Sequence, residues 1–539
     1  MFKNLKRITL QIDCSRLIIL VALCFTLFYN FRFFRNSAAI YAHDIGGVLF
    51  VASLALFLFA LTVLVLAILC FRFIVKPALA LIFIGAAAAN YYMNTFNVVI
   101  DTTMITNMMR TDRREVADLM SVQLAIQILL LGVLPSWLVY KTTIKFPSFM
   151  LTLLQRLKLI GIAFVMVLVS IAPFTPYYTS FFRENKMLRY YANPVTFIYS
   201  SVRIVDMALA SVENLVRTPI GLDAHNAASD SQRQLVILVV GEAARADRFS
   251  LNGYPRATNT LLSAAGVISF KNVYSCGTST AYSLPCMFSL SDRTDFDLDT
   301  ANQTENALDV LTHAGVNVLW RDNNSDAKGV AEEIAFEDFR SADVNNVCDI
   351  ECRDIGMLNG LPDYIEQHPT SDIVIVLHQM GMHGPDYYKR YPSNFEIYTP
   401  VCKTNQLENC TDEELSNAYD NAVSYTDFFL SQLIVFLKNY DNRFGTVMYY
   451  MGDHGESLGE NGLYLHGLPY LLAPDIQKHV ASIIWFGENY PIDQNLIREK
   501  LDAELSHDSY FHTILGLLHI ETSVYDPNKD FLNPALHLQ

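Results

Sequence analysis

The chain has 539 residues, too many for a single hydrophobic core, so more than one domain is expected. Hydrophobic residues make up 52% of it and charged residues 17%, too apolar for a protein wholly in water and too polar for spanning helices alone. The net charge of -15 argues against nucleic acid as a partner, because no basic surplus neutralises phosphates; a local cluster of cations could still meet anionic lipids.

Five apolar runs come first in chain order: Leu17–Phe34, Gly46–Cys70, Ala78–Ile100, Val122–Tyr140 and Leu159–Phe174. Most approach the ~20 residues that cross a hydrocarbon layer. The first is interrupted by Asn30 and Arg32. It follows Lys3, Lys6, Arg7 and Arg16 without a small-x-small cleavage site, so it reads as an uncleaved anchor. Arg72 and Lys76 follow the second run, and Lys141, Lys145, Arg156 and Lys158 lie between the fourth and fifth. The positive-inside tendency puts these groups and the N-terminus in the cytoplasm, although Arg110, Arg113 and Arg114 after the third run weaken the contrast. An odd number of spans then places everything after Phe174 outside. The expected organisation is a five-helix transmembrane domain over residues 1–175, an interfacial bridge over 176–232 rich in aromatic rings such as Tyr177, Phe182 and Tyr190, and an outer domain over 233–539.

The cysteines divide in the same way. Cys14, Cys24 and Cys70 lie among the apolar runs, whereas Cys276 and Cys286, Cys348 and Cys352, and Cys402 and Cys410 come as near neighbours in the polar part. Three local disulfides in an oxidising compartment are expected.

Beyond Gln234, short apolar strands alternate with helical stretches: LVILVVG (235–241), VNVLW (316–320), DIVIVLH (372–378), TVMYYMG (446–452) and ASIIWFG (481–487), with helical spacing over Glu305–His313 and Asp412–Tyr440. This alternation predicts an α/β domain, a mostly parallel sheet with helices on both faces, whose reactive groups gather just past the strands. Glu242 follows the first strand, His383 the DIVIVLH strand, and Asp453 and His454 the TVMYYMG strand. Carboxylates and imidazoles on one sheet edge suit zinc, or manganese. A nucleophile is sought among Ser275, Thr278, Ser279, Thr280 and Ser283 of the segment SCGTSTAYSLPCMF (275–288), which two cysteines tether and where a helix start would offer N–H groups to a phosphate. Spacing does not choose among these hydroxyls.

Longer motifs do. GE-x-x-R at 241–245, NGYPRATN at 252–259, CGTSTAYSLPCMFS at 276–289, NNSDAKGV at 323–330, GMHGPDYYKRYP at 381–392 and DHGESLGENGLYLHG at 453–467 resemble the lipid A phosphoethanolamine transferases, the family of the chromosomal and the mobile colistin-resistance enzymes. The resemblance covers essentially the whole chain and implies an alkaline phosphatase/sulfatase fold for the outer domain. It implies Thr280 as the residue that becomes modified, and Glu242, Thr280, Asp453 and His454 as ligands of one catalytic zinc. His383 and His466 would bind substrate phosphate, assist proton transfer or hold a second, weaker zinc. Ser325 and Lys328 match head-group contacts, and Asn107, Thr111 and Glu115 match an N-xxx-T-xxx-E pattern that reaches the substrate from the membrane side. One departure is Ala243, where the family usually has Thr or Ser. The resemblance further implies phosphatidylethanolamine as donor, lipid A as acceptor, a monomer in a bacterial inner membrane with a periplasmic catalytic domain, and polymyxin resistance. The alternatives are a transferase acting on core sugars or periplasmic glucans, or a phosphodiesterase of the same fold. A transporter is disfavoured, since it predicts functional charges inside the spans, whose middles are nearly uncharged.

Overall fold

The computed structural model describes residues 11–110, 116, 119–183, 185–210, 217–227 and 232–536. Lys3, Lys6 and Arg7 of the basic start, and Thr111, Arg113, Arg114 and Glu115 of the loop after the third run, lie outside the described residues. Two compact units divide the chain: Met1–Ile105 with Met120–Asp206, and Thr106–Leu119 with Met207–Gln539.

In the first unit, helices α1 (Cys14–Phe28), α2 (Phe31–Tyr41), α3 (Ile45–Leu69), α4 (Val75–Phe96), α6 (Val122–Lys141) and α7 (Phe149–Phe182) carry the apolar runs, and α5 (Thr102–Arg110) begins the loop after the third. Among the described residues, α3, α4, α6 and α7 are each long and apolar enough to cross a membrane, and α1 with α2 makes a fifth crossing if the bent pair is one span. The break falls at the interruption seen in the first run: the chain bends by 58° between the two helices. Asn30 sits at the break, where its amide donates to Phe25 O (2.9 Å) and Asn193 O (2.6 Å) and its Oδ1 accepts from Asn193 N (2.9 Å). A side chain that takes over backbone hydrogen bonds competes with helix continuation. At the start of α3, Asp44 caps Gly47 N, and a Cβ on Gly47 would lie 1.7 Å from Tyr41 O, so only glycine admits this approach of two helices. One correction concerns α7, which starts at Phe149 rather than near Leu159. Arg156 and Lys158 are therefore helical, not loop, residues, and Arg156 reaches across to donate to Cys70 O at the C-terminal end of α3.

The second unit is built on seven strands: β1 (Gln234–Gly241), β2 (Ile268–Phe270), β3 (Asn317–Asp322), β4 (Ala335–Asp338), β5 (Ile373–His378), β6 (Gly445–Gly452) and β7 (Ser482–Phe486). Their order is β2-β7-β6-β1-β5-β3-β4. β6, β1, β5, β3 and β4 run parallel, while β7 is antiparallel to both β6 and β2, so the sheet is mixed with a parallel centre. Every residue of β1 and β6 is buried, the signature of a strand covered on both faces. β2 and β4, only three and four residues long, carry too little apolar pattern to be anticipated. Two helices matter for the site. α8 (Thr280–Phe288) carries the nucleophile segment, and α9 (Asp412–Lys438) starts with a capping box between Thr411 and Glu414 and buries one long face.

Candidate active site

Register places the two carboxylates. β1 and β6 pair in parallel with Gly241 opposite Gly452, so the next residues, Glu242 and Asp453, leave the sheet side by side. Neither glycine tolerates a side chain, since a Cβ on Gly241 would lie 2.2 Å from the Tyr450 hydroxyl and one on Gly452 3.0 Å from Ala244. Ala243 then turns in the left-handed region (φ 52°). Its N–H donates to Asp453 Oδ1 (3.0 Å) and its carbonyl accepts from the Tyr419 hydroxyl (2.5 Å), so the peptide itself ties the two strand ends together.

Thr280 opens α8, where the first N–H groups have no acceptor within the helix. Its Oγ1 donates to Glu242 Oε2 at 3.0 Å and lies 3.2 Å from His454 Nε2. The other imidazole nitrogen of His454, Nδ1, donates to Gly455 O at 2.8 Å, which turns Nε2 inward. That Nε2 lies 3.3 Å from Glu242 Oε1 and 3.4 Å from Asp453 Oδ2. Both oxygens are buried and have no hydrogen-bond donor. Two unsatisfied carboxylate oxygens, one imidazole nitrogen and one hydroxyl thus converge in a buried place, and such a set is incomplete without a cation. Three oxygens and a nitrogen fit zinc.

The electrostatics express the same deficit. Burial raises the Glu242 carboxyl, but the His454 imidazole outweighs it and holds Glu242 well below the usual carboxylate range. Asp453 moves the other way, pushed up to about 6 by burial and by the Glu242 charge. Burial disfavours the His454 cation, yet Asp453 and Glu242 raise it to about 10. A proton shared among these groups does the work that a metal ion would do more completely.

The remaining expected residues are placed as follows. His466 has its ring centre 4.2 Å from that of His454 and 6.0 Å from that of the half-buried His383, so three imidazoles gather at the site. Ligand atoms of Glu242, His454 and His466 lie within 4.8 Å of one another. Ser325 and Lys328 are buried in the loop that follows β3, where Lys328 Nζ donates to Ser325 O at 2.8 Å. Asn107 lies half-buried on α5, while Thr111 and Glu115 are outside the described residues. The cysteines pair as Cys276–Cys286, Cys348–Cys352 and Cys402–Cys410, leaving Cys14, Cys24 and Cys70 free. The first bridge closes around Thr280.

Three residues at the site were not anticipated. Asn324 donates from Nδ2 to Glu242 Oε2 (2.9 Å) and to Gln379 O (2.8 Å), which fixes the Glu242 carboxylate plane. It sits just past β3, so the strand-end rule that found Glu242 would have found it too. Glu456 is wholly buried with Oε2 3.3 Å from His466 Nδ1. His507 joins the nucleophile segment to the β6 turn: Nδ1 accepts from Cys276 N (3.1 Å) and Nε2 donates to Gly452 O (2.9 Å). Burial pushes its pKa down to about 4, so it is a neutral brace. No local motif marks it.

Residues 234–520 match the sulfatase family, and residues 58–209 match the phosphoethanolamine transferase EptA/EptB family. The chain is similar to phosphatidylethanolamine transferase Mcr-2 of Escherichia coli, 41% identical over 517 residues that cover 93% of this chain and 94% of the relative. It is similar to phosphoethanolamine transferase EptA of Salmonella typhimurium, 40% identical over 475 residues, 85% of this chain and 86% of the relative. Among solved structures it resembles the integral membrane lipooligosaccharide phosphoethanolamine transferase A (EptA) from Neisseria meningitidis, with a TM-score of 0.93 at 35% identity, covering 98% of this chain and all of that one.

Proposed function

This chain belongs to the EptA and Mcr family of phosphoethanolamine transferases, and from that premise we propose that it moves phosphoethanolamine from phosphatidylethanolamine onto a lipid A phosphate through a covalent adduct on Thr280. The observation that carries this reading is the Thr280 hydroxyl held at 3.0 Å from Glu242 and 3.2 Å from His454 at the start of a buried helix.

Glu242, Thr280, Asp453 and His454 would hold one zinc ion, which supplies Lewis-acid polarisation of a phosphoryl oxygen and lowers the pKa of a hydroxyl beside it. In the first step the Thr280 hydroxyl proton leaves along its hydrogen bond to Glu242 Oε2 while Oγ1 attacks phosphorus. The bond from phosphorus to the diacylglycerol oxygen breaks, and that oxygen takes a proton from the His383–His466 pair. Asn324 keeps the Glu242 carboxylate in plane during the transfer, and the N–H groups opening α8 face the phosphoryl oxygens. In the second step a lipid A phosphate gives its proton to the His383–His466 pair, which restores that pair, and the ionised phosphate oxygen attacks the adduct. The phosphorus–Oγ1 bond breaks, and Thr280 regains its proton from Glu242. The product carries an ammonium group that offsets negative charge on lipid A, so cationic peptides such as polymyxins bind the surface less well.

The apolar helices, the basic loops and the disulfides support placement in a bacterial inner membrane with the N-terminus cytoplasmic and the catalytic unit periplasmic. The test is mass spectrometry of lipid A from cells expressing the full chain or Thr280→Ala, with the peptide that contains Thr280 analysed in parallel. A phosphoethanolamine increment on lipid A and on that peptide, both abolished by Thr280→Ala, is expected. Lipid A modified by Thr280→Ala at the unaltered rate refutes the reading.

A further inference from the structure

The second step brings an anionic acceptor phosphate against an anionic phosphoryl group on a chain whose own net charge is -15. Something beside Thr280 must offset that repulsion, and next to the nucleophile segment stands a cation, Arg293, that is not among the head-group residues already named. Arg293 lies in the turn after α8 with its guanidinium over the Tyr470 ring, 4.4 Å from the ring centre. Among the described residues no carboxylate pairs with its side chain. Asp508 is taken by the Arg293 backbone N–H instead (2.8 Å), and Lys478, 5.4 Å from the same ring, is tied to Asp475 (3.2 Å).

Two contacts set this spot against the nucleophile segment. On one side is Tyr282, two residues past Thr280 on the same helix; burial raises its hydroxyl and the Arg293 charge acts against that rise. On the other is the segment from His466 to Tyr470, pinned to the nucleophile loop by Gly467 N donating to Thr278 O (2.7 Å) and by Thr278 Oγ1 donating to Leu468 O (2.6 Å). The next residue, Leu471, is 90% exposed, more than any other large apolar side chain described in the catalytic unit. A guanidinium in want of an anion next to an apolar side chain in want of cover matches a lipid that carries phosphate.

The geometry points to Arg293, backed by the Tyr470 ring and flanked by Leu471, as the docking point for the anionic acceptor lipid: the guanidinium meets an acceptor phosphate and Leu471 meets its acyl chains. This inference rests on the two-step reading above and assigns Arg293 to the second step alone. The experiment uses the full chain in vesicles of phosphatidylethanolamine with or without lipid A, following diacylglycerol release, lipid A modification and the fraction of Thr280 that carries phosphoethanolamine. Arg293→Ala is expected to slow transfer to lipid A about tenfold, the scale of one lost charge-assisted hydrogen bond. The modified fraction of Thr280 should rise, while diacylglycerol release without lipid A stays within about twofold of the unaltered chain. Arg293→Lys, which keeps the charge, should recover most of the transfer rate. Both steps falling together, or neither changing, overturns the assignment of Arg293 while leaving the two-step reading intact. An unaltered chain that modifies lipid A with no phosphoethanolamine on Thr280 removes the two-step reading and this inference with it.

Discussion

The two units of this protein bury polar groups in opposite ways. Inside the membrane unit the buried polar side chains are mostly neutral, such as Thr26, Asn30, Ser37, Asn90 and Asn193, and those with described bonds satisfy backbone atoms at a helix break or along a helix. In the catalytic unit the buried polar groups include many ionisable ones, and Glu242, Asp322, His378, Asp453, His454 and Glu456 all crowd near the carboxyl edge of one sheet. Hydrocarbon offers no compensation for an isolated charge, so only hydrogen-bonded neutral groups are at home there. A water-free pocket that receives a cation is the reverse case, because charges that would unfold an empty site stabilise an occupied one. The outer surfaces invert as well: Leu20 and Phe164 are over half exposed on apolar helices of the membrane unit, the kind of surface that lipid tails cover.

This contrast can be broken most directly at the metal. Chelation of the purified full chain, or Asp453→Ala, should lower transfer by about 10²–10³-fold, the scale of a lost electrostatic stabiliser, and strip the bound zinc while leaving membrane-unit helicity unchanged. Zinc content measured beside lipid A modification decides it, and a metal-free chain at full rate would refute the site. A smaller effect sharpens the contrast in packing. Leu238→Ala, wholly buried in β1, should destabilise the catalytic unit by about 2–5 kcal/mol, whereas Leu20→Ala on a lipid-facing side of α1 should change stability by under about 1 kcal/mol. Denaturant unfolding of the detergent-solubilised chain compares them, and equal effects would mean that Leu20 is packed against protein.

Glu115→Ala tests whether the loop after the third apolar run takes part in reading the head group. Transfer is expected to fall about tenfold with zinc content unaltered, as for the loss of one ion pair to an ammonium group. A full-rate Glu115→Ala chain would make the loop a mere connector. The smallest effect separates two bridges. Replacing Cys276 and Cys286 by serine should slow transfer several-fold, because that loop carries Thr280, while replacing Cys402 and Cys410 should cost about 2–3 kcal/mol of stability with activity nearly unchanged. The reverse ranking in rate assays would show that the first bridge does not position the nucleophile.

The legibility of the chain follows range of interaction. The core strands β1, β3, β5, β6 and β7 were visible as apolar runs because both of their faces are covered, and Glu242, Asp453 and His454 were visible because a parallel sheet exports its reactive groups at strand ends. Local cysteine pairs were visible because short loops favour their own closure. Thr280 was different, since spacing left five hydroxyls open and only resemblance chose among them. Asn30 was visible as an interruption of the first run, but the size of the bend there and the early start of α7 were not, because hydropathy reports what lipid tolerates, not which backbone atom a side chain captures.

By itself, then, the sequence determined what depends on neighbours along the chain: apolar runs that must leave water, strands buried on both sides, and the residues that stand just beyond them. What only the tertiary structure decided are meetings across long separations. The Gly241–Gly452 register sets Glu242 beside Asp453, Asn324 clamps the Glu242 carboxylate from another strand end, and His507 braces Cys276 against Gly452. Each such contact joins residues that carry no local signal for one another, because its stability comes from closing a buried polar group in three dimensions rather than from any periodicity in one.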